Sequence, residues 1–364
     1  MKKQESKKNP IVNMLKSSLM DLPSPASISF MWNFGFLLGM TLTTQIATGL
    51  ILSMMYNPDT NTAFSTMVSI MKDINTGWIT RMIHMNGASV FFILLYIHTA
   101  RGLYFNSPTN QKKVWISGTA ILLAVMATAF LGYVLPWGQM SFWGATVITG
   151  VLSAIPIVGN ELVTWIWGGP SVSQPTLNRF FSLHFLLPMM IAAMVLVHLI
   201  LLHENGSSNP TNSFTNSDKV KFNPKFLIKD IVPMIAIMML TLILVSMEPH
   251  LLGDVENFNT ANPLIAPVHI QPEWYFLFAY VILRSIPSKL GGVVALALSI
   301  IILAPLIAKK SKNAKFSPAK KTKFWALISI ILILTWIGAK AVESPFEGIG
   351  QVYTILYFST VISL

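Results

Sequence analysis

Long runs of apolar residues divide the chain, and polar, lysine-rich or proline-rich segments separate them. A hydrocarbon core about 30 Å thick is crossed by roughly 20 helical residues. By that measure the sequence predicts eight membrane-spanning helices, of which the last is short for a full crossing. The predicted spans cover residues 30–54, 77–105, 114–134, 176–203, 229–247, 290–308, 323–341 and 350–364.

Two further apolar stretches lie between predicted spans and do not read as crossings. Met140–Trp167 is interrupted by three glycines and a proline, which favours short helices lying at the membrane surface over one long helix. Pro272–Ile286 follows a polar loop and is amphipathic, but it is too short to span the bilayer. We expect both stretches to line the outer face.

Composition supports an all-α, polytopic membrane protein. Of the 364 residues, 53% are hydrophobic and only 11% are charged, whereas soluble domains carry about 25% charge. A membrane β-barrel would show short alternating segments in place of these long runs. No cleavable signal peptide is expected, since no short apolar core follows the basic N-terminus. We divide the chain into a basic segment (1–29), a four-helix bundle (30–206) and a C-terminal region (207–364) with an outer loop (248–289).

The basic residues are distributed unevenly among the predicted loops. Eighteen of the 25 lysines and arginines fall in the N-terminal segment and in the loops after spans two, four and six. Cytoplasmic or matrix loops are enriched in this way, so both termini are predicted to lie inside. The net charge of +11 therefore reflects membrane topology, and no nucleic-acid partner is expected.

Two spans carry matched pairs of histidines. His84 and His98 are 14 residues apart, as are His184 and His198, so each pair shares one helix face with about 21 Å between its members along the axis. Both spans run from outside to inside, which pairs His84 with His184 and His98 with His198. A single intramembrane histidine is as well explained by a structural hydrogen bond as by a ligand role, but two matched pairs favour ligation.

The kind of metal follows from the number of histidines at each level. Zinc needs three or four clustered protein ligands, whereas two facing histidines suit six-coordinate iron in a flat macrocycle, such as haem b. The chain has no cysteine, which excludes an iron–sulfur cluster or a thiolate-bound haem within it. The sequence therefore predicts two haems b, one near each membrane face.

Glycines repeat the same interval in the neighbouring spans. Gly35 and Gly49 in span one, and Gly118 and Gly132 in span three, are again 14 residues apart. Single glycines usually serve helix packing, but four at the histidine interval suggest two flat cofactors against the backbone. Gly49 and Gly132 would face the outer cofactor, and Gly35 and Gly118 the inner one.

Charged side chains lie close to these histidines. Arg81, Arg101 and Arg179 each lie within about a turn of a histidine, where they could pair with haem propionates. They could equally extend to the membrane interface. On the outer side, Glu273 is embedded among aromatic residues, and it is read equally well as a proton acceptor with a raised pKa or as a carboxylate at a helix N-terminus.

On the inner side, two titratable residues lie near the ends of adjacent spans. His203 follows His198 by five residues, and Lys229 and Asp230 begin the fifth span. A histidine and an aspartate converging there could transfer protons to a bound carbonyl ligand. From the residues alone, anchoring at the interface is the better explanation.

These motifs together resemble the cytochrome b family, the haem-bearing membrane subunit of respiratory complex III. The resemblance covers nearly the whole chain. It is carried by the two histidine pairs, the four glycines, Gly132–Thr149 (GYVLPWGQMSFWGATVIT) and Pro272-Glu273-Trp274-Tyr275. It implies a low-potential haem on His84 and His184 and a high-potential haem on His98 and His198.

The family also implies two quinone sites. An outer pocket would oxidise quinol, with Glu273 and Tyr275 as catalytic residues beside Gly144 and Pro272. An inner pocket would reduce quinone, using His203 and Asp230 with Ser207 and Lys229 nearby. The two sites on opposite faces would couple electron transfer to proton translocation.

Partners and localisation follow from the same resemblance. A Rieske iron–sulfur subunit, a cytochrome c1 subunit, membrane lipid and a second copy of the chain are the implied partners. Because the chain is fused, compact and free of cysteine, it resembles the mitochondrial inner-membrane type, with both termini in the matrix.

Two other functions remain compatible with the residues. A secondary transporter could use the histidines as a proton relay, but it would show no haem absorbance and would leave the repeated interval unexplained. Another bis-haem quinone oxidoreductase would keep the histidine pairs without needing the Pro-Glu-Trp-Tyr segment. A reduced-minus-oxidised spectrum tests the first alternative, and ligands of each quinone pocket test the second.

Overall fold

The computed structural model describes residues 16–210, 216–309 and 317–364, and within them the chain is almost entirely helical. A two-stranded antiparallel sheet, β1 (Pro23–Pro25) and β2 (Lys219–Lys221), is the one sheet among these residues. The helices are α1 Phe34–Ser53, α2 Ala63–Lys72, α3 Gly77–Tyr104, α4 Ser107–Asn110, α5 Lys112–Val134, α6 Gln139–Gly150, α7 Gly159–Trp167, α8 Gln174–Asn205, α9 Lys225–Met247, α10 Leu277–Arg284, α11 Lys289–Ile301, α12 Pro318–Gly338 and α13 Phe346–Ser363.

The prediction of an all-α, multi-pass membrane protein is confirmed. In the part of the chain that the structure describes, six helical segments are long and apolar enough to cross a bilayer: Phe30–Ser53, Gly77–Tyr104, Lys112–Val134, Gln174–Asn205, Lys225–Met247 and Pro318–Gly338. They correspond to predicted spans one to five and seven.

The remaining two predicted spans have a different form. Span six is the 13-residue helix α11, followed by the short 3-10 helix Ala304–Ala308. Pro305 lies in this 3-10 segment, where its missing N–H cannot continue the α-helical ladder. Span eight is α13, which begins four residues before the predicted start and is 18 residues long. Both helices fall short of the roughly 20 residues that a perpendicular crossing needs.

Helices α1, α3, α5 and α8 pack as a four-helix bundle. Helix α1 lies along α3 and α5 lies along α8, while α1 also contacts α8 and α3 contacts α5. The longest helix, α8, begins at a capping box in which Ser173 and Thr176 satisfy each other's backbone N–H groups, an arrangement that fixes a helix start. Pro188 lies inside α8, and it removes the N–H that would bond to the His184 carbonyl.

The predicted surface helices are present as α6 and α7, joined by the 3-10 helix Val151–Ala154. The outer loop is fastened to the start of α6. Gly138 forms a β-bridge with Thr260, and the Gln139 side chain donates to the Ile265 carbonyl at 2.9 Å and accepts from the Asn262 N–H at 2.8 Å. These bonds hold the residues that precede Glu273 against the outer end of the bundle.

The C-terminal helices have their own apolar core, here called the C-terminal core. It joins α10, α12 and α13 to the inner ends of α3 and α5. Leu334 and Ile337 on α12 are almost inaccessible to solvent, and Tyr357 on α13 donates a hydrogen bond to the Ser299 carbonyl at 2.5 Å. Because Tyr357 is buried, this bond satisfies a hydroxyl that would otherwise be costly.

The residues before α1 are attached to the inner ends of α8 and α9. Strand β1 pairs with β2, and the Lys229 Nζ donates to the Ile28 carbonyl at 2.8 Å. The Ser27 hydroxyl donates to Asn209 at 2.9 Å. Predicted residues of the inner quinone site therefore lie next to a fixed backbone segment.

Leu334 and Leu332 offer a matched test of the C-terminal core. Leu334 is 0% exposed and Leu332 is 64% exposed on the same helix. We expect Leu334→Ala to lower the free energy of unfolding by about 2–5 kcal/mol because it opens a cavity, while Leu332→Ala has a much smaller effect. Thermal unfolding of both variants in the same detergent measures this difference. Equal losses in the two variants would contradict the assignment of Leu334 to the core.

Candidate functional site

Four glycine–histidine contacts lie at two levels of the bundle. A Cβ atom placed on Gly132 would lie 2.3 Å from the Cε1 atom of His184, and one on Gly49 would lie 3.1 Å from Cε1 of His84. At the other level the corresponding distances are 3.4 Å for Gly35 and His98 and 3.3 Å for Gly118 and His198. Each glycine thus provides the space that a histidine ring of the neighbouring helix occupies.

The histidines face one another across the bundle. The ring centroids of His84 and His184 are 6.1 Å apart, with the ring planes at 85°. His98 and His198 lie close enough to each other to interact electrostatically, so these two also lie at one level. Histidines 14 residues apart on α3 and on α8 therefore point to the same interior from both helices.

Every one of the four Nδ1 atoms has a partner on the protein. That of His84 lies 2.9 Å from the Thr48 hydroxyl, and that of His198 lies 2.7 Å from the Ser117 hydroxyl. His184 Nδ1 is 2.8 Å from the Thr128 carbonyl. The Nδ1 of His98 lies 3.3 Å from a guanidinium nitrogen of Arg101. No hydrogen bond to Nε2 of these four histidines is found among the described residues.

These residues fit a haem better than a bare metal ion. In the described ranges no three His, Cys, Asp or Glu side chains cluster as an ion site would need. A separation of 6.1 Å between ring centroids leaves space for one metal atom, because imidazole nitrogens bind first-row metals at about 2 Å. Two facing histidines with space for one metal atom between them suit an iron whose remaining ligands a macrocycle supplies.

A cavity of about 520 Å³ connects the outer histidine level to the outer loop. Its walls include His84 and His184, the facing Gly49 and Gly132, and Glu273. The lining is predominantly apolar, as is usual for sites that bind small organic molecules. The cavity is therefore shared by the level of the outer histidine pair and the carboxylate of the Pro-Glu-Trp-Tyr segment.

Glu273 lies in a protein environment that favours its neutral form. Burial raises the pKa of its carboxyl to about 7, against the effect of a hydrogen bond from the Tyr133 hydroxyl. The negative charge of Asp254 also raises this pKa, and the positive charge of Arg81 lowers it. The carboxyl is consequently poised to gain or lose a proton near neutral pH.

Tyr275 is a packing residue of the same region. Its ring stacks on Phe92 with centroids 4.1 Å apart and planes at 4°, and its carbonyl accepts a hydrogen bond from the Tyr96 hydroxyl at 2.5 Å. The adjacent Trp274 donates to the Ser89 hydroxyl at 3.0 Å. These contacts with α3 fix the backbone on the C-terminal side of Glu273.

Gly144 and Pro272 do not line this cavity. Gly144 lies on α6, and a Cβ atom added there would meet nothing within 4 Å. Pro272 precedes Glu273 at the end of the outer loop and is half-buried. The open space beside Gly144 thus lies outside the cavity that Glu273 lines.

The three arginines occupy different surroundings. Arg81 lines the cavity on the side of His84 and acts electrostatically on Glu273. Arg101 lies over the Trp32 ring at 5.4 Å while contacting His98.

Arg179 is exposed and does not line the cavity. Its guanidinium donates to the carbonyls of Trp165 and Ile166, close to the C-terminus of α7. A cation is favourable at the C-terminal end of a helix, so the Arg179 side chain is oriented toward α7. The sequence did not predict this orientation.

The predicted inner residues lie at or just beyond the C-terminal end of α8 and at the N-terminal end of α9, and the segment before α1 forms hydrogen bonds near both ends. Asp230 is buried at the start of α9, and the side chain of Asn33 donates to the Lys229 carbonyl. His203 is exposed in the last turn of α8, and Ser207 is half-buried just beyond it. Asp230 is thus enclosed, while His203 remains accessible from the inner side.

Several residues at the site were not predicted from the sequence. Tyr133, which bonds to Glu273, directly follows Gly132, and Thr48 and Ser117 directly precede Gly49 and Gly118. A hydroxyl residue beside three of the four spaced glycines was a usable signal. The Thr128 carbonyl had none, because any residue type supplies a backbone carbonyl.

Comparisons with known proteins agree on the class. Residues 19–206 match the family model described as Cytochrome b/b6/petB, and residues 260–358 match Cytochrome b(C-terminal)/b6/petD. A solved chain from a structure titled "Hyperthermophilic respiratory Complex III" is similar over 98% of this chain and 96% of that chain, with 32% identity and a TM-score of 0.92.

An all-α membrane bundle with paired histidines therefore defines a haem-binding class of membrane protein. The chain belongs to the cytochrome b family, and membership implies that it binds haem b. The ligand roles of the individual histidines, and the roles of the predicted quinone-site residues, stay predictions.

The raised pKa of Glu273 gives a measurable titration. The infrared stretch of the protonated Glu273 carboxyl is identified as the wild-type band that Glu273→Gln lacks. We expect this band to disappear as the pH rises, with a midpoint near pH 7, because the carboxyl is protonated below its pKa of about 7. Asp254→Asn removes a neighbouring negative charge and should move the midpoint down. Tyr133→Phe removes a donor to the carboxylate and should move it up. Loss of the band already at pH 5 would contradict this environment.

Proposed function

We propose that the chain is the transmembrane electron-transfer subunit of a quinol–cytochrome c oxidoreductase. It oxidises quinol at an outer site and reduces quinone at an inner site, coupled to proton translocation. The observation that carries the proposal is the two-level arrangement of four histidines, each facing a glycine, with a cavity leading from the outer level to Glu273. Similarity to a chain of a respiratory Complex III structure supports the same assignment.

Two haems b, when bound, supply one-electron transfer between the two membrane faces. His84 and His184 would hold the outer, low-potential haem, and His98 and His198 the inner, high-potential one. Gly49 and Gly132 admit the histidine rings of the outer level, and Gly35 and Gly118 admit those of the inner level. Levels about 21 Å apart along the helices cover most of a hydrocarbon core of about 30 Å.

Charged side chains would bind the propionates. Arg81 and Arg101 are half-buried near the outer and inner histidine levels respectively, where a cation favours an anionic ligand. Arg179 is the weakest of the predicted partners, since carbonyls of α7 already accept its hydrogen bonds. We retain it as a surface residue above the outer level.

At the outer site Glu273 accepts a proton from bound quinol. Its pKa of about 7 suits a general base at neutral pH, and Tyr133 and Arg81 stabilise the ionised form. Tyr275, stacked on Phe92, orients the segment that carries Glu273. Gly144 and Pro272 border the space in which the quinol ring would bind.

At the inner site His203 and Asp230 transfer protons to the reduced quinone. Asp230 is buried at the start of α9 while His203 is exposed, so the pair combines an enclosed acid with a group open to the inner solution. Ser207 would donate a hydrogen bond to a quinone carbonyl. Lys229 positions the site through its bond to the Ile28 carbonyl.

Partners follow from what the chain lacks. Without cysteine it holds no iron–sulfur cluster, so a Rieske iron–sulfur subunit must accept the other electron of quinol and pass it to cytochrome c1.

Exposed apolar side chains along α8 and α9, such as Leu196 and Leu240, suit contact with membrane lipid and with a second copy of the chain. The excess of lysine in alternate loops supports both termini on the matrix side of the mitochondrial inner membrane.

Haem content tests the ligand assignment. We expect the purified wild-type chain, in its complex, to contain two haems b in a pyridine haemochrome assay. His98→Leu should abolish the inner haem alone, because only that level loses a ligand, and His84→Leu should abolish the outer one. Redox titration of the remaining haem identifies which was lost. Loss of both haems from folded His98→Leu would refute the pairing.

Glu273→Gln tests the outer proton acceptor. We expect quinol oxidation to slow by on the order of 10²- to 10⁴-fold, the usual contribution of a general base, with both haem spectra unchanged. The wild-type rate should rise as pH increases through about 7, where Glu273 ionises, and the variant should lose this dependence. The control is Glu161→Gln, an exposed acid on α7. Normal turnover in Glu273→Gln would remove Glu273 from the mechanism.

A further inference from the structure

A hydroxyl residue directly precedes the glycine at two of the four glycine–histidine contacts. Thr48 precedes Gly49, which faces His84 from α1, and Ser117 precedes Gly118 on α5. One dipeptide belongs to the outer histidine level and the other to the inner. The glycine admits the ring, and the hydroxyl beside it reaches the ring nitrogen.

The direction of the Thr48 hydrogen bond is fixed by its other partner. A threonine hydroxyl has one hydrogen to donate and two lone pairs that accept. The Thr48 hydroxyl donates to the Thr44 carbonyl at 2.8 Å, which leaves its oxygen to accept at 2.9 Å from Nδ1 of His84. This hydrogen-bond pattern assigns the hydrogen of the His84 ring to Nδ1.

Ser117 meets the same condition at the other level. Its hydroxyl donates to the Val114 carbonyl at 2.9 Å, and its oxygen lies 2.7 Å from Nδ1 of His198. Neutral imidazole carries one ring hydrogen, so in both histidines the lone pair is on Nε2. Nε2 is the nitrogen available to a metal.

We propose that Thr48 and Ser117 are positioning residues that hold His84 and His198 in the metal-binding tautomer, one residue for each haem level. This inference rests on the proposed ligand roles of the two histidines. A hydrogen bond accepted from Nδ1–H also makes the ligand more basic. Each hydroxyl therefore favours ferric over ferrous iron and lowers the reduction potential of its own level.

The other two histidines offer no equivalent side chain. His184 donates to the Thr128 backbone carbonyl, and His98 faces the Arg101 guanidinium. Substituting Thr48 or Ser117 thus perturbs one ligand of one level and leaves the opposite level as an internal reference.

The experiment compares redox titrations of the complete complex with wild-type chain, Thr48→Val, Thr48→Ser and Thr44→Val. Thr44 is one turn earlier on α1, and its hydroxyl donates to the Met40 carbonyl without touching a histidine. In Thr48→Val the ratio of reduced to oxidised outer haem at a fixed potential should rise by about threefold to tenfold, at or below the lower end of the roughly 10- to 100-fold effects seen when a metal ligand loses its outer hydrogen-bond partner. The inner haem should be unchanged.

The control variants separate the hydroxyl from the rest of the side chain. Thr48→Ser keeps the oxygen, and Thr44→Val removes only a local helix bond, so both should titrate like the wild type. In the same way Ser117→Ala should raise the reduced fraction of the inner haem alone. Its controls are Ser117→Thr, which keeps the hydroxyl, and Thr119→Val, since the Thr119 hydroxyl donates only to the Trp115 carbonyl.

The outcomes distinguish this inference from the proposed function. A wild-type complex without two haems b would overturn the proposed function itself. With both haems present, an outer haem in Thr48→Val that titrates like the wild type would overturn the positioning role. Loss of the outer haem in Thr48→Val but not in Thr48→Ser would support it. Loss in both would contradict it, because the methyl group, and not the oxygen, would then be required.

Discussion

The close approach of a histidine ring to a glycine backbone, made four times, is the constraint on which the bundle depends. At Gly132 a single added carbon would lie 2.3 Å from the His184 ring, far inside any van der Waals contact. Four helices must pack at a separation that accepts these rings, and interiors tolerate little change in volume. Helix spacing and the space between facing histidines are therefore set by the same four positions.

The outer loop holds Glu273, a residue outside the membrane spans, in a fixed position against the bundle. Glu273 lies more than 130 residues along the chain from Tyr133, yet the Tyr133 hydroxyl bonds to its carboxylate. The bonds between Gln139 and the loop at Asn262 and Ile265 shorten the free segment that precedes Glu273. A buried carboxyl with a poised pKa needs such fixed surroundings, because water entering the site would return the pKa to its ordinary value.

The two halves of the chain bury their apolar surface differently. Helices α10, α12 and α13 enclose an apolar core together with the inner ends of α3 and α5, whereas α8 and α9 leave most of their apolar side chains exposed. In a bilayer such exposure carries no hydrophobic cost, since lipid tails are as apolar as leucine. Helix α8, which carries His184 and His198, is consequently held by its contacts with α1 and α5 and by the capping box at Ser173, more than by burial on all sides.

The sequence by itself determined the class of fold, the positions of six long helices and the fourfold repeat of glycine and histidine, because helical periodicity and bilayer thickness act on local runs of residues. Tertiary structure alone decided which glycine faces which ring, how α11 and α13 pack although they are short, and why Arg179 lies against α7. It also decided the partners of Nδ1 and the surroundings of Glu273. These depend on atoms brought together from distant parts of the chain, including backbone carbonyls that no residue type reveals.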